Sequence, residues 1–317
     1  MPTTDGQLRW WGKVLDTDLK QVRLIFISDI HYGNSLCSIK HLRRTIDFIK
    51  NNEDVYCFLN GDLCESTLKT SKGDIYKQVG TPQDQRDWVI ETFLPIKDRI
   101  LGMTTGNHED RIYREAGIDI SQDIADDLSV PYRMEGMLYK IAFGDGNRWT
   151  KNKPYVFWIY FTHGYGGART RGAKNVKVQR LSEWIGADCF AMSHDHEVDI
   201  APHRFLFPDQ RGTEINGFLN GKITAYRQML IKTNAYIKWG GYAEMKGYAP
   251  SDLATPVVCF LSPKSEYWKF FPDKPIKEVK IMVWMSFAQN KKPVKIMHWH
   301  TRKEFTIYSS PYPVLIG

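Results

Sequence analysis

Cysteine is sparse in this 317-residue chain, and the five present, at positions 37, 57, 64, 189 and 259, form no close pair. Their odd number cannot be fully bridged within one chain, which argues against a disulfide scaffold or a zinc ribbon and leads to the expectation of a reducing cytoplasm. Long apolar runs are also missing. The strongest, VFWIYF at 156–161, falls far short of the ~20 residues that span a bilayer, so no membrane segment is expected. The opening MPTTDGQLRWWGK has no apolar core to act as a secretory signal. Internal repeats and low-complexity tracts are absent.

What is present fits a globular protein. Hydrophobic residues make up 42% of the chain, enough to exclude a disordered protein. The apolar runs VRLIFIS (22–28), VYCFLNG (55–61) and ILGMTTG (100–106) predict buried strands. Between them, SIKHLRRTIDFIKNN and PQDQRDWVIETFLPIKDR carry apolar residues at three- and four-residue intervals and predict helices. Further on, ISQDIADDL and VKVQRLSEWI predict helices, and LYKIAF, YVFWIYF and ADCFAMS predict strands. The alternation implies a parallel or mixed sheet with helices outside. With no clear linker, one domain over 1–317 is expected: a motif-bearing core at about 21–262 and a basic, aromatic, β-rich extension at about 263–317.

Five polar clusters follow predicted strands: SDIH at 28–31, GDLCE at 61–65, GNHED at 106–110, THG at 162–164 and SHDH at 193–196. Loops at strand C-terminal ends converge on one sheet edge in α/β folds, so distant clusters can share one site. Carboxylate, imidazole and amide oxygen together suit Mn, Fe or Zn better than metals that favour thiolate. Alternate residues of a strand share a face, which would bring Asp29 to His31 and His194 to His196. Singly, each cluster has an ordinary reading. An Asp after a strand makes an Asx turn, Asn107 caps a helix, and Glu109 and Asp110 suit its first turn.

The ordered set DxH, GDxxE, GNHE, HG and xHxH resembles the calcineurin-like metallophosphoesterase superfamily, closest to its uncharacterised bacterial and phage-encoded members. The last motif is usually GHxH; here Ser193 replaces the glycine. The resemblance implies a two-sheet β-sandwich flanked by helices, here with the C-terminal β-rich extension. It implies two divalent metal ions, Mn²⁺ foremost with Fe, Zn or Mg as alternatives. Asp29, His31, Asp62 and His196 would hold one metal; Asp62, Asn107, His163 and His194 would hold the other. His108 would serve the leaving group as catalytic residue, oriented by Asp29 or another acid. The implied activity is phosphodiester hydrolysis by attack of a metal-bridging hydroxide.

Substrate is less determined. GYGGARTRGAK at 164–174 matches no Walker A or GxGxxG fingerprint, but its glycines permit close approach of an anion, and Arg169 and Arg171 are candidate phosphate partners. No acid lies between His163 and Ser182, and from Lys264 onward ten Lys/Arg against four Asp/Glu leave an excess of +6. Aromatics in the same segment, among them Tyr267, Trp268, Trp284 and Trp299, favour DNA, RNA or nucleotides as substrate. GDLCESTL lacks the Arg of the protein-phosphatase pattern GDxxDRG. Alternatives are a small-molecule phosphodiesterase or phosphomonoesterase, and a catalytically silent metal-binding module. The stretch from Leu63 to Pro82 is long for a connection and is expected to form a lid or binding loop. Trp10 and Trp11 fit either a covered sheet edge or an oligomer contact.

Overall fold

The computed structural model describes residues 9–71, 75–144, 154–208, 212–250, 253–262, 264 and 265, and the backbone of strands at 281–287, 294–297 and 304–307. Its first sheet has five strands in the order β13-β12-β2-β3-β4: β2 (Gln21–Ile27), β3 (Val55–Asn60) and β4 (Ile100–Thr104) run parallel, while β12 (Ala254–Leu261) joins antiparallel to β2 and β13 (Ile281–Phe287) to β12.

A second, six-stranded sheet runs β1-β5-β6-β7-β11-β8. Its members are β1 (Trp11–Val14), β5 (Met137–Phe143), β6 (Tyr155–Thr162), β7 (Cys189–Met192), β8 (Asp199–Pro208) and β11 (Ile223–Lys232). Two short antiparallel pairs complete the strands, β9 (Thr213–Ile215) with β10 (Phe218–Asn220), and β14 (Val294–Met297) with β15 (Glu304–Ile307).

The two sheets stack, and helices cover both outer faces, which explains why the central strands read as unbroken apolar runs. On β2, Val22, Leu24 and Phe26 enter the layer between the sheets, whereas Ile25 and Ile27 face the helices. On β3, Tyr56 and Phe58 face inward, with Val55, Cys57 and Leu59 outward. Phe58 stacks on Phe26 at 5.5 Å and tilts against Phe161 at 4.3 Å, so aromatic contacts join the two sheets.

The outer layer over the first sheet comprises α1 (Ile39–Lys50), α2 (Pro82–Phe93), α3 (Asn107–Ala116) and α4 (Ile120–Leu128). Over the second sheet lies α5 (Arg171–Trp184), through Val178 and Leu181 against Phe190, Met192 and Leu230. This is the expected two-sheet sandwich. Among the described residues no helix is long and apolar enough to cross a membrane.

Two local expectations differ. The helix read through Arg99 ends at Phe93, and Leu94–Arg99 continues as a 3₁₀ turn, because Pro95 lacks the N–H that an α-helix would need. The Leu63–Pro82 stretch does not begin as a free lid: residues 63–67 are buried, and Gln85 and Gln78 accept the Ser66 and Thr67 amides. Only its outer part is open, with Tyr76 94% exposed. Trp11 lies on the edge strand β1, and the neighbouring Trp10 packs edge-on against Trp158 at 5.2 Å. Tyr267, Trp268 and Trp299, the GDGNRWTKNKP turn apart from Gly144 and Pro154, and the side chain of Trp284 fall outside the described residues.

One buried histidine gives a stability prediction. His41 on α1 contacts Thr255 Oγ1 through Nε2 at 2.9 Å, beside the Tyr236 ring, and burial together with Arg44 pushes its pKa down to about 4. An unfolded imidazole titrates near 6.5. The unfolded chain therefore binds the extra proton first, and stability falls as pH drops from about 6.5 toward 4. Between pH 7 and pH 5 the protein should lose about 2 kcal/mol more in urea unfolding than His41→Gln does. Equal losses would mean that His41 is not buried neutral.

Candidate metal centre

All five polar clusters lie at the C-terminal ends of strands from both sheets. Asp29 and His31 follow β2, Asp62 follows β3, and Asn107 and His108 begin α3 after β4. His163 follows β6, and His194 and His196 follow β7. A site assembled from two sheets depends on close backbone approach. A Cβ on Gly106 would overlap the amide and carboxylate of Asp62, and one on Gly61 (φ +76°) would overlap the backbone of Gly106. The glycines of GD and GN thus let the β3 and β4 loops touch.

The donor atoms form two main groups that meet at Asp62, and a third, overlapping group joins His31, Asp62 and His108. In one, His196 Nε2 lies 3.2 Å from both Asp29 Oδ1 and His31 Nε2, and His31 Nε2 is 3.8 Å from Asp62 Oδ2. In the other, His163 Nε2 lies 3.2 Å from Asp62 Oδ2 and 3.2 Å from Asn107 Oδ1, with a His194 nitrogen within 4.8 Å of the Asp62 and His163 donors. His108 Nε2 stands 4.0 Å from Asp62 Oδ2. The seven candidate metal residues and His108 are therefore brought together.

Arg169 and Arg171 show no contact with this cluster. Arg171 Nη2 donates to Asp199 at 2.7 Å, and Arg169 lies over the Tyr248 ring at 5.9 Å. The basic run is largely matched by acids: Lys174 pairs with Glu197 at 2.7 Å and Lys177 with Asp195 at 2.8 Å. Three of its five cations, Arg171, Lys174 and Lys177, are thus paired with acids.

The convergence does not come from strand alternation. β2 ends at Ile27, and Asp29, His31, Asp62, His194 and His196 all have left-handed backbone, with φ of 50°, 49°, 50°, 73° and 51°. Non-glycine residues avoid this region, and such strain gathers where surrounding structure imposes it at functional sites. No sequence signal marks it.

The donor set fits cations. Asp29 Oδ1 is buried with no hydrogen-bond partner, and three buried carboxylates, Asp29, Asp62 and Glu65, share the pocket. Burial alone would raise Asp29, yet His196 and His163 hold its carboxyl well below the usual range. Burial would lower His31 and His163, yet the carboxylates raise them, His31 to about 9 through Glu65 and Asp62, and His163 to about 10 through Asp62 and Asp29. Protons thus supply positive charge where metal ions fit. His163 Nδ1 donates to Asn60 O at 2.8 Å and His194 Nε2 to Gly166 O at 2.7 Å, which leaves the opposite ring nitrogens for the cluster.

Several residues behind the donors went unread in the sequence. Glu109, expected only as a first-turn residue, is 1% exposed and accepts the amides of Asp62, Cys64 and Gly106 at 3.0, 2.9 and 3.2 Å. Glu65 places Oε2 3.2 Å from His31 Nδ1, and its carbonyl accepts His108 Nδ1–H at 2.7 Å. The backbone oxygen of Glu65 is the nearest partner of His108 Nδ1, and the carboxylate of the same residue stands 3.9 Å from that nitrogen.

Ser193, the departure from GHxH, accepts hydrogen bonds from Asn60 Nδ2 at 2.5 Å and Thr233 Oγ1 at 2.8 Å, while Asn60 Oδ1 accepts from Thr104 at 2.7 Å. This buried polar layer ties β3, β4, β7 and β11 together beneath the donors. Ser193→Gly should cost about 1 kcal/mol, because Asn60 and Thr233 would each lose one hydrogen bond and keep only Thr162 O and Ser28 Oγ as partners on those atoms. A urea midpoint unchanged from the parent would refute that accounting.

Comparison with known proteins follows the same line. The family described as calcineurin-like phosphoesterase matches residues 22–212. Comparison with curated protein sequences finds no significant match. Among solved structures, the zinc complex of Vps29 from Entamoeba histolytica is similar at 10% identity and a TM-score of 0.37, covering 91% of this chain and 100% of that one. A Streptococcus pneumoniae protein described as a predicted phosphoesterase gives 11%, 0.36, 91% and 99%. A metallophosphoesterase from Sphaerobacter thermophilus gives 11%, 0.32, 74% and 82%. At these values the structural likenesses carry no argument about function.

Proposed function

The chain belongs to the calcineurin-like phosphoesterase family, and from that premise we propose that it hydrolyses phosphodiester bonds with two divalent metals, on nucleotide or nucleic-acid substrates. The observation that carries this reading is the meeting of two N/O donor groups at Asp62, with His108 beside them and outside the ligand sets assigned below. Asp29, His31, Asp62 and His196 would hold one metal, and Asp62, Asn107, His163 and His194 the other. Bound metals would supply Lewis acidity and water activation for attack at phosphorus; Mn²⁺ suits the mixed donors.

The remaining work falls to the chain. Asp62 is shared, its Oδ2 facing the histidines of both groups. Its Oδ1 also accepts the His108 amide at 2.8 Å, which fixes it to the start of α3. Burial pushes His108 down to about 4, so its substrate-free imidazole is neutral. Nδ1–H is held by Glu65 O and Nε2 is bare. A phosphoester anion seated opposite favours protonation of Nε2, and from there the proton passes to the departing alkoxide. Arg169, with Tyr248 beneath it, is the better of the two arginine candidates for substrate contact, since Arg171 is occupied by Asp199.

The test is protein with Mn²⁺ offered an activated phosphodiester, an activated phosphomonoester, and end-labelled single- and double-stranded DNA. Cleavage of DNA whose apparent affinity falls steeply with salt supports the nucleic-acid reading. Turnover of small esters without DNA cleavage at any salt would leave a small-molecule phosphoesterase. No turnover with two metals bound would reject hydrolysis.

A further inference from the structure

Away from the donor cluster, a cavity of about 280 Å³ opens where β1, the Leu94–Arg99 turn, the start of β4 and the end of α4 meet. β4 separates the two places. Ile100, its first residue, lines the cavity, whereas its last, Thr104, leads to Gly106 and Asn107 of the cluster.

The cavity's polarity is asymmetric. Leu101, Leu128 and Val130 give it an apolar wall, and exposed Lys13 and Lys97 line it against a single acid, Asp98, which leaves a positive excess. Lys13 Nζ reaches the Asp98 carbonyl only at 3.4 Å, so its other N–H groups are available to a ligand. The deepest polar residue is Tyr139 of β5. It is 2% exposed, its ring packs edge-on against Phe58 at 5.1 Å, and it lines the cavity. Among the described residues its hydroxyl has no hydrogen-bond partner, and burial alone raises its pKa. A phenol at a cavity wall with no protein partner offers its O–H to an acceptor in the cavity.

We propose that this cavity binds a small organic anion, its charged end held by Lys13, Lys97 and the Tyr139 hydroxyl and its apolar end against Leu101, Leu128 and Val130. The volume sits at the small end of ligand sites, near ~300 Å³, which admits an aromatic acid and excludes an oligonucleotide. The site is independent of the proposed hydrolysis.

Phenylphosphonate is a suitable probe because it has no ester bond to cleave. Titrated into the full chain, it should produce saturable ¹⁵N amide shifts at Leu101, Ser129 and Val130. Tyr139→Phe, and separately the Lys13→Ala/Lys97→Ala pair, should weaken this binding at least about tenfold, the scale of one lost hydrogen bond to a charged group. Asp62→Asn should leave the shifts unchanged. Tyr139→Phe should also unfold at the same urea concentration as the parent, because the lost hydroxyl had no protein partner. Undiminished binding in both cavity variants, shifts lost only with Asp62→Asn, or no saturation by either phenylphosphonate or benzoate at millimolar concentration would each overturn the proposal.

Discussion

Replacing Asp62 with alanine is expected to abolish loading of both metals and hydrolysis of an activated phosphodiester together, whereas His108→Ala should keep both metals and lose about 10²–10⁴-fold in kcat. The contrast follows from position. Asp62 Oδ2 stands 3.2 Å from His163 Nε2 and 3.8 Å from His31 Nε2, so it belongs to both donor groups. Its removal leaves two histidine clusters without the shared anion that lets two cations lie close together. His108 is held from behind by Glu65 O, and the two assigned ligand sets do not include it, although its ring stands in donor range of His31 and Asp62. Metal content by plasma emission and kcat on the same preparations decide the matter. A His108→Ala protein as metal-poor as Asp62→Ala would make His108 a ligand.

Lys232→Met should destabilise the fold by about 3 kcal/mol, a large share of the ~5–15 kcal/mol typical of a domain. Lys232 is 1% exposed, with Nζ 2.6 Å from Asp195 Oδ2 and 3.0 Å from Ser193 O. Asp195 lies between His194 and His196, and Lys177 holds its other oxygen at 2.8 Å. Removing Lys232 leaves a buried carboxylate half-compensated inside the loop that supplies two donors. Asp195→Asn in the Lys232→Met background should recover part of the loss, because the uncompensated charge is then gone. Urea unfolding of the two single variants and the double variant measures the coupling; additive losses would show that the pair is not the source.

Much of the fold was legible because burial writes itself into local patterns. VRLIFIS and VYCFLNG read as buried strands since both faces of β2 and β3 are covered, and helices α1 and α2 followed from spacing. The donor residues were legible from an ordered set of short polar motifs, each held to a strand end. What stood behind the donors was not. Glu109 looked like a helix-cap acid and does cap α3, but the two amides it also takes from the β3 loop lie 45 and 47 residues away. Lys232 follows an apolar run and gives no hint of its partner 37 positions earlier. The run from Arg169 to Arg180 looked like a polyanion surface because the acids that neutralise it lie beyond it in sequence, at 195–199.

The sequence by itself therefore determined the strands, the main helices, the residues that converge on one polar cluster and the family, since these depend on side-chain type and on separations of a few residues. Tertiary structure alone decided which atoms face one another. It bent five donors into left-handed backbone, put Asp62 between the donor groups of both sheets, and made Ser193 a cross-link where the family motif has glycine. It also set His108 Nδ1 against both the carbonyl and the carboxylate of Glu65. These contacts join residues dozens to more than a hundred positions apart, and their geometry comes from the stacking of two sheets, which no local pattern encodes.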